Sequence, residues 1–406
     1  MTNLLSKVEI SLLFGLKGID VVAANQGKHQ LTIRVQKDLA FGVCDHCGTI
    51  SQKVNDRHIH RVTDRPLEVP GVKLEVVKRR WKCLNSFCPA KTFTEQIEGL
   101  GRKRTHTDLF CRRVYELSRR MTFSGVHQYL QEVYGCHTAL STIYRAAIGR
   151  LHQEVTVPES VDTPFVGLDE FSKGKGHDYG VVLVDLARRK VIDVDGGGKR
   201  KKAAVRLLEK LDGERLKACA IDMWPPFKAA CGQAVPHALV VVDHFHVIKA
   251  INEGVDKVRK RVRGRLRSAQ KKRALFQYKE LLLTGLETLA ASQEHRLWEM
   301  LSWDEGLCHA YELKELLRAI YIGQNPHRAA VELDNWIEEA KGSGIPEVED
   351  VAKTIARWKP EILNFWTYRI SNAVTEGKIN KIQALRRRAY NYNNFQSLRL
   401  KILEQE

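Results

Sequence analysis

Three aspartates interrupt or close apolar runs. Asp169 lies inside Val166-Gly167-Leu168-Asp169-Glu170-Phe171, Asp222 ends Ala220-Ile221-Asp222-Met223, and Asp243 ends Val240-Val241-Val242-Asp243-His244-Phe245-His246. A carboxylate in an apolar strand is costly to bury unless it is paired or bound to a cation. Two or three of them on neighbouring strands would also repel one another. A divalent metal resolves that conflict, and Mg²⁺ favours such oxygen ligands. A lone Asp at a strand end is more often a turn or cap residue, and Asp185, before the turn Ala187-Arg188-Arg189, is read that way.

A second set is built from sulfur. Cys44-x2-Cys47 and Cys83-x4-Cys88 form two close pairs separated by 35 residues. Zinc binds four soft ligands as a tetrahedron, and paired thiolates on two turns supply them without a large core. Gly48 suits the tight turn after the first pair. His46 could substitute as a ligand, but four thiolates suffice, so a structural Zn²⁺ is expected. The other five cysteines, Cys111, Cys136, Cys219, Cys231 and Cys308, lack such pairing and read as small core residues.

The elements that must hold these groups follow from the apolar pattern. Residues 1–100 are strand-rich and carry the cysteine quartet, with residues 1–40 reading as strands. Residues 101–157 turn helical, with helices expected over Leu109–Arg119, Phe123–Val133 and Leu140–Leu151 and with Ser141 or Thr142 able to cap the third. This pattern fits a helix-turn-helix whose last helix presents Tyr144, Arg145 and Arg150 to a major groove. Pro158 and Pro164 flank a linker. Residues 158–250 then read β-β-β-α-β-α-β, with strands at Phe165–Phe171, Tyr179–Asp185, Lys190–Val194, Lys217–Asp222 and Ala238–Asp243. Three sequential strands followed by βαβ units give a mixed sheet with helices on its faces. Residues 251–365 are helical in pattern, and a last helix begins near Ala373 within a closing segment, 366–406. Ligands in such sheets gather beyond the carboxyl ends of strands, where Asp222 and Asp243 lie.

Charge points to the partner. The 406 residues carry 66 Lys+Arg against 48 Asp+Glu, a net charge of +18. The first 150 residues hold 24 basic and 13 acidic side chains, so the excess is concentrated there. A basic first third implies a polyanion, most simply nucleic acid, and Arg112, Arg113, Arg119 and Arg120 cluster in it. Residues 257–273 hold ten basic side chains in seventeen. Like charges repel at i,i+4 spacing, so Arg259, Lys260, Arg261 and Arg263 are expected on a DNA-contacting face. Trp303, Trp336, Trp358 and Trp366 read as core packing. No apolar run approaches the roughly 20 residues needed to span a bilayer. The stretch around Leu12–Leu16, broken by Glu9 and Lys17, makes a poor secretory signal. A soluble, cytoplasmic, multidomain protein is the expectation, with no membrane partner.

In order, a four-cysteine module, a helix-turn-helix pattern, Leu168-Asp169-Glu170-Phe171, Asp222-Met223, Asp243-His244-Phe245-His246 and Ser371-Asn372-Ala373-Val374-Thr375-Glu376-Gly377-Lys378-Ile379-Asn380-Lys381 span the chain. This series resembles the DDE transposases of bacterial insertion sequences, specifically the ISL-three group. The resemblance implies a multidomain α+β protein whose ribonuclease-H-like core carries an all-helical insertion before the last acidic helix. It implies a catalytic triad binding Mg²⁺ or Mn²⁺, with Asp169 first, Asp222 second and Glu376 third. Asp243, also in a family-like motif, is the reserve for the second position. It implies a homo-oligomer acting on two terminal inverted repeats and on target DNA. Two metal ions could serve both cutting and joining. After Glu376, Lys378, Lys381, Arg386, Arg387 and Arg388 offer a basic face to phosphates, Lys381 and Arg387 foremost. Two departures concern local DNA contacts: His244 where Arg or Lys is usual, and Asn391 where Gly is common in Tyr390-x-Tyr392. The competing reading is a catalytically inactive zinc and helix-turn-helix regulator derived from a transposase, which would have no need of a costly acid cluster. A junction resolvase of the same fold would not need the N-terminal modules.

Overall fold

The computed structural model describes residues 7–26, 31–64, 72–100, 105–173, 178–197, 200–388 and 394–406. Tyr390, Asn391 and Tyr392 lie outside them. The chain forms two compact units, Met1–Thr156 with Arg387–Glu404, and Val157–Arg386 with Gln405–Glu406.

The first unit opens with a helix, α1 (Lys7–Phe14), where strands were expected. Ile10, Leu13 and Phe14 recur at three- and four-residue spacing, the helical period, and Phe14 is buried. The strands are β1 (Ile19–Gln26), β2 (Leu31–Lys37), β3 (Gly42–Val43), β4 (Ile50–Ser51), β5 (Val54–Val62), β6 (Val72–Lys82) and β7 (Thr92–Thr94). The main sheet runs β1-β2-β6-β5 with β7 on β6, and β3 and β4 form a separate hairpin. Helices α2 (Asp108–Ser118), α3 (Phe123–Tyr134) and α4 (Leu140–Glu154) follow. They close around Phe110, Val114, Phe123, Val126, Leu130 and Ile143. Thr107 and Thr122 cap α2 and α3 through their hydroxyls. The N-cap of α4 is Ala139, with no side-chain bond, so neither Ser141 nor Thr142 serves as the expected cap.

The second unit is built on β8 (Phe165–Ser172), β9 (Tyr179–Asp185), β10 (Lys190–Asp195), β11 (Ala218–Ile221) and β12 (Leu239–Val242). Their order is β10-β9-β8-β11-β12. The first three are antiparallel, and β8, β11 and β12 are parallel. Helices α5 (Arg200–Leu208), α6 (Pro225–Ala234) and α7 (His244–Arg265) connect and extend this sheet. A helical layer then comprises α8 (Ala269–Gln277), α9 (Lys279–Leu283), α10 (Ala291–Leu301), α11 (Glu305–Ile322), α12 (Pro326–Lys341), α13 (Pro346–Leu363) and α14 (Phe365–Tyr368). Trp336, Trp358 and Trp366 are buried in the shared core, with Trp303 packed against it. α15 (Ala373–Arg388) returns to the sheet.

The last helix, α16 (Phe395–Glu404), groups with the first unit, although the sequence suggests that all of 366–406 completes the core. It packs on α4, and the Glu404 carboxylate lies 3.3 Å from Arg119 Nε. Burial, and then that carboxylate, hold the Tyr115 hydroxyl above its usual range.

Candidate functional site

The strand register sets two of the acids side by side. Gly167 pairs with Ala220, and Ile221 with Val242, along parallel strands. Continued by two residues from Gly167 and by one from Ile221, the same register aligns Asp169 with Asp222 and Asp222 with Asp243. Asp169 shares the face of β8 that carries Gly167, because strand side chains alternate.

α15 lies against that face. A Cβ on Gly167 would sit 2.1 Å from Thr375 Oγ1 and 2.5 Å from Asn372 Oδ1, so only glycine admits the helix so closely. Asn372 and Thr375 are fully buried. Farther along α15, Gln383 Nε2 donates to the Ser172 carbonyl at 3.1 Å, and Arg386 donates to the same oxygen. Glu376 is thereby held beside the strand ends.

His246 joins the acids. Its Nε2 lies 2.8 Å from Asp222 Oδ1 and 3.8 Å from Glu376 Oε1. Asp169, Glu170, Asp222, His246, Arg200, Trp224 and Lys249 are among the residues lining an open cleft. Arg200 pairs with Glu170 at 3.0 Å and stacks on Tyr179 at 4.6 Å. Burial, and then the charge of Asp222, pushes the Asp169 carboxyl up to about 7, with Glu376 adding to the effect. Burial disfavours charge on His246 too, but the Asp222 carboxylate outweighs it and holds the imidazole above its usual value.

Asp243 has a different environment. It is fully buried and caps α7, accepting from Phe245 N at 3.4 Å, and its carboxylate lies 3.2 Å from His244 Nδ1. Burial opposes its ionisation, yet the His244 contact prevails and keeps the carboxyl below its usual range. Asp185 is satisfied by the Arg188 amide and guanidinium, as a turn residue should be.

The four cysteines converge in the first unit. Their sulfurs all lie within 4.8 Å of one another, with Cys44 to Cys88 at 3.9 Å and Cys47 to Cys83 at 3.6 Å. Four thiolates about 2.3 Å from one Zn²⁺ would stand about 3.8 Å apart, so the quartet fits a structural zinc. Gly48 turns the first pair at φ +72°. His46 is not one of the converging residues. The thiols are unlike: the Thr49 hydroxyl lowers Cys47 to about 6, while burial pushes Cys88 up to about 12.

The basic residues divide. Arg145 is exposed, Tyr144 packs edge-on against Phe123 at 5.3 Å, and Arg150 pairs with Glu154 at 2.7 Å. Arg112 and Arg113 share Glu116, at 3.2 and 3.7 Å. On α7 the expectation of a single DNA-facing set needs correction. Arg259 is buried, bonded to Asp256 at 2.8 Å and to the Leu275 carbonyl at 2.9 Å, because it falls on the stripe of Val255, Val258 and Val262. Arg261 is taken by Glu347 at 2.7 Å. Lys260 and Arg263 remain exposed, the latter 4.9 Å from the Phe276 ring. Lys381 and Arg387 are exposed on α15.

Residues 166–402 match a family described as transposase, the ISL3 group of DDE transposases. The chain belongs to that family. It is also similar to the transposase for insertion sequence element IS1001 of Bordetella parapertussis, with 29% identity over 377 residues, 92% of this chain and 90% of the relative. The matched family segment of this transposase contains Asp169, Asp222, Asp243, His246 and Glu376; the cysteine quartet and α2–α4 precede it. Among the described residues, no helix is long and apolar enough to cross a membrane. His246, Arg200 and Lys249 were not singled out from sequence. The available signal for His246 was its place three residues after Asp243, one helical turn into α7.

Proposed function

We propose that this insertion-sequence transposase binds double-stranded DNA at terminal inverted repeats, cuts at the element ends and joins the freed 3′-hydroxyls to target DNA. Asp169, Asp222 and Glu376 are the acid triad of that reading. The observation that carries it is the convergence of the acids on one cleft, where Asp222 and Glu376 lie 2.8 and 3.8 Å from His246 Nε2, and where burial, and then the charge of Asp222, lifts Asp169 to about 7. Repulsion of that kind is relieved by a divalent cation. Mg²⁺ or Mn²⁺ held by these acids would supply activation of a water or 3′-hydroxyl and stabilisation of the leaving oxygen.

The chain's own residues do the rest. Gly167, Asn372 and Thr375 hold Glu376 in register with Asp169. Arg200 and Lys249 bring positive charge to the cleft, suited to a phosphodiester. Asp222 fits the second position better than Asp243, whose carboxylate is engaged as a helix cap. The sheet order and its antiparallel-then-parallel pattern support a ribonuclease-H-like core, with α8–α14 as the all-helical insertion. The tight three-helix cluster and exposed Arg145 support a helix-turn-helix in α2–α4. Two element ends must be processed together, which favours a homo-oligomer on DNA.

The test is cleavage and strand transfer in Mg²⁺ or Mn²⁺ on DNA carrying the element's ends. Asp169→Asn, Asp222→Asn and Glu376→Gln are expected to bind ends and perform no chemistry, while Asp243→Asn retains activity. An inactive Asp243→Asn beside an active Asp222→Asn would reassign the second acid. Wild-type protein that binds ends and never cuts would favour the regulator reading.

A further inference from the structure

We infer that His246 is a nitrogen ligand of the catalytic cation, completing a mixed carboxylate and imidazole centre. This rests on the acid-triad reading and adds a residue to it. The imidazole is held from behind: the His246 amide donates to the Asp243 carbonyl at 3.0 Å in the first turn of α7, and Asp243 caps that turn. Only 16% of the side chain is exposed, on the cleft that Asp169 and Asp222 also line.

The contact with Asp222 is an imidazole–carboxylate pair whose two atoms are close but poorly aligned for a hydrogen bond. Nε2 and Asp222 Oδ1 are 2.8 Å apart, yet both atoms are buried without an aligned hydrogen-bond partner. Two buried polar atoms facing one another in this way resemble two ligands of one ion. Adjacent ligands about 2.1 Å from an octahedral cation stand roughly 3 Å apart, close to the observed separation. Glu376 Oε1, at 3.8 Å, is near enough to join the same ion with a small side-chain adjustment. Among the described residues, no lysine or arginine forms an ion pair with Asp222 or Glu376, so their charge is left to His246 and a cation. Imidazole suits first-row transition ions better than Mg²⁺, so the centre favours Mn²⁺.

Pulsed electron paramagnetic resonance of Mn²⁺ bound to the full-length, zinc-loaded protein without DNA tests this directly. A ¹⁴N modulation is expected, converted to the ¹⁵N pattern when histidine is ¹⁵N-labelled. His246→Gln should abolish it and weaken Mn²⁺ binding at least about tenfold, the scale seen for metal-site partners. His246→Asp should bind Mn²⁺ without nitrogen coupling and narrow the preference for Mn²⁺ over Mg²⁺. Mn²⁺ bound to wild type and lost in Asp222→Asn, but with no nitrogen coupling, would overturn the inference and leave the triad intact. Wild type that binds no Mn²⁺, or binds it equally in Asp222→Asn, would overturn both.

Discussion

Replacing Gly167 with alanine tests how Glu376, the third acid of the proposed triad, is positioned. The new Cβ would lie 2.1 Å from Thr375 Oγ1, 2.5 Å from Asn372 Oδ1 and 3.0 Å from Leu186 Cδ2. The nearest contact is more than about 1 Å inside van der Waals separation. Thr375 and Asn372 are fully buried, so neither can swing into water. The start of α15 must therefore move by roughly 1 Å, and Glu376, the next residue after Thr375, moves with it. Overpacking of this kind costs about 1–3 kcal/mol. A 1 Å displacement at a reacting centre costs on the order of 10²-fold in rate. Gly167→Ala should thus keep most of its stability in thermal melts, bind end DNA like wild type and cleave it about 100-fold more slowly. Thr375→Ala in the same chain removes the closest contact and should recover part of the rate. Cleavage within about threefold of wild type, with an unchanged melting temperature, would refute the claim that this contact sets the position of Glu376.

Three further outcomes follow from the same structure. Asp169 has a folded value of about 7 against its usual 3.8; the native state keeps its proton longer, so stability falls as pH rises through that window and levels off above it. In chelator, Asp169→Asn should gain about 2 kcal/mol on wild type between pH 5 and pH 8 in urea unfolding, and an equal gain at both pH values would sink the electrostatic account. Wild-type protein should carry one zinc per chain by elemental analysis; Cys44→Ser should lose it and loosen the cluster of Trp81 and Phe93, and a metal-replete, unaltered Cys44→Ser would refute the quartet. Arg259→Ala should destabilise the fold by about 2 kcal/mol, through the buried Leu275 carbonyl left unpaired while Asp256 keeps Lys260 at 2.6 Å, without changing the salt dependence of DNA binding. Lys381→Ala should do the reverse, lowering the salt slope by about one; exchanged effects would mean that burial misassigns the two.

What the sequence determined by itself is what depends on neighbours along the chain. The apolar runs and turns marked the five strands of the core to within a residue or two, since alternation and apolar continuity are local properties. Paired cysteine spacing picked out a quartet whose sulfurs converge as a zinc site requires, because close pairs on turns already constrain thiolate geometry. The motif series identified the family from end to end. Four matters were decided only in three dimensions. Asp222 and Asp243 both end apolar runs; the parallel register places the first beside Asp169, and the start of α7 gives the second a cap to make. Arg259 looks like its basic neighbours in a string, but the helical period turns it onto the buried stripe of α7. The segment 366–406 reads as one closing element, yet α16 packs on α4, a contact across more than two hundred residues that no local pattern encodes. His246 is one histidine among 15 in sequence, and becomes chemically distinct only when α7 carries it to 2.8 Å from Asp222. Propensity and spacing act over a few residues, whereas charge pairing and burial act through space, so the elements were legible and the partners of their side chains were not.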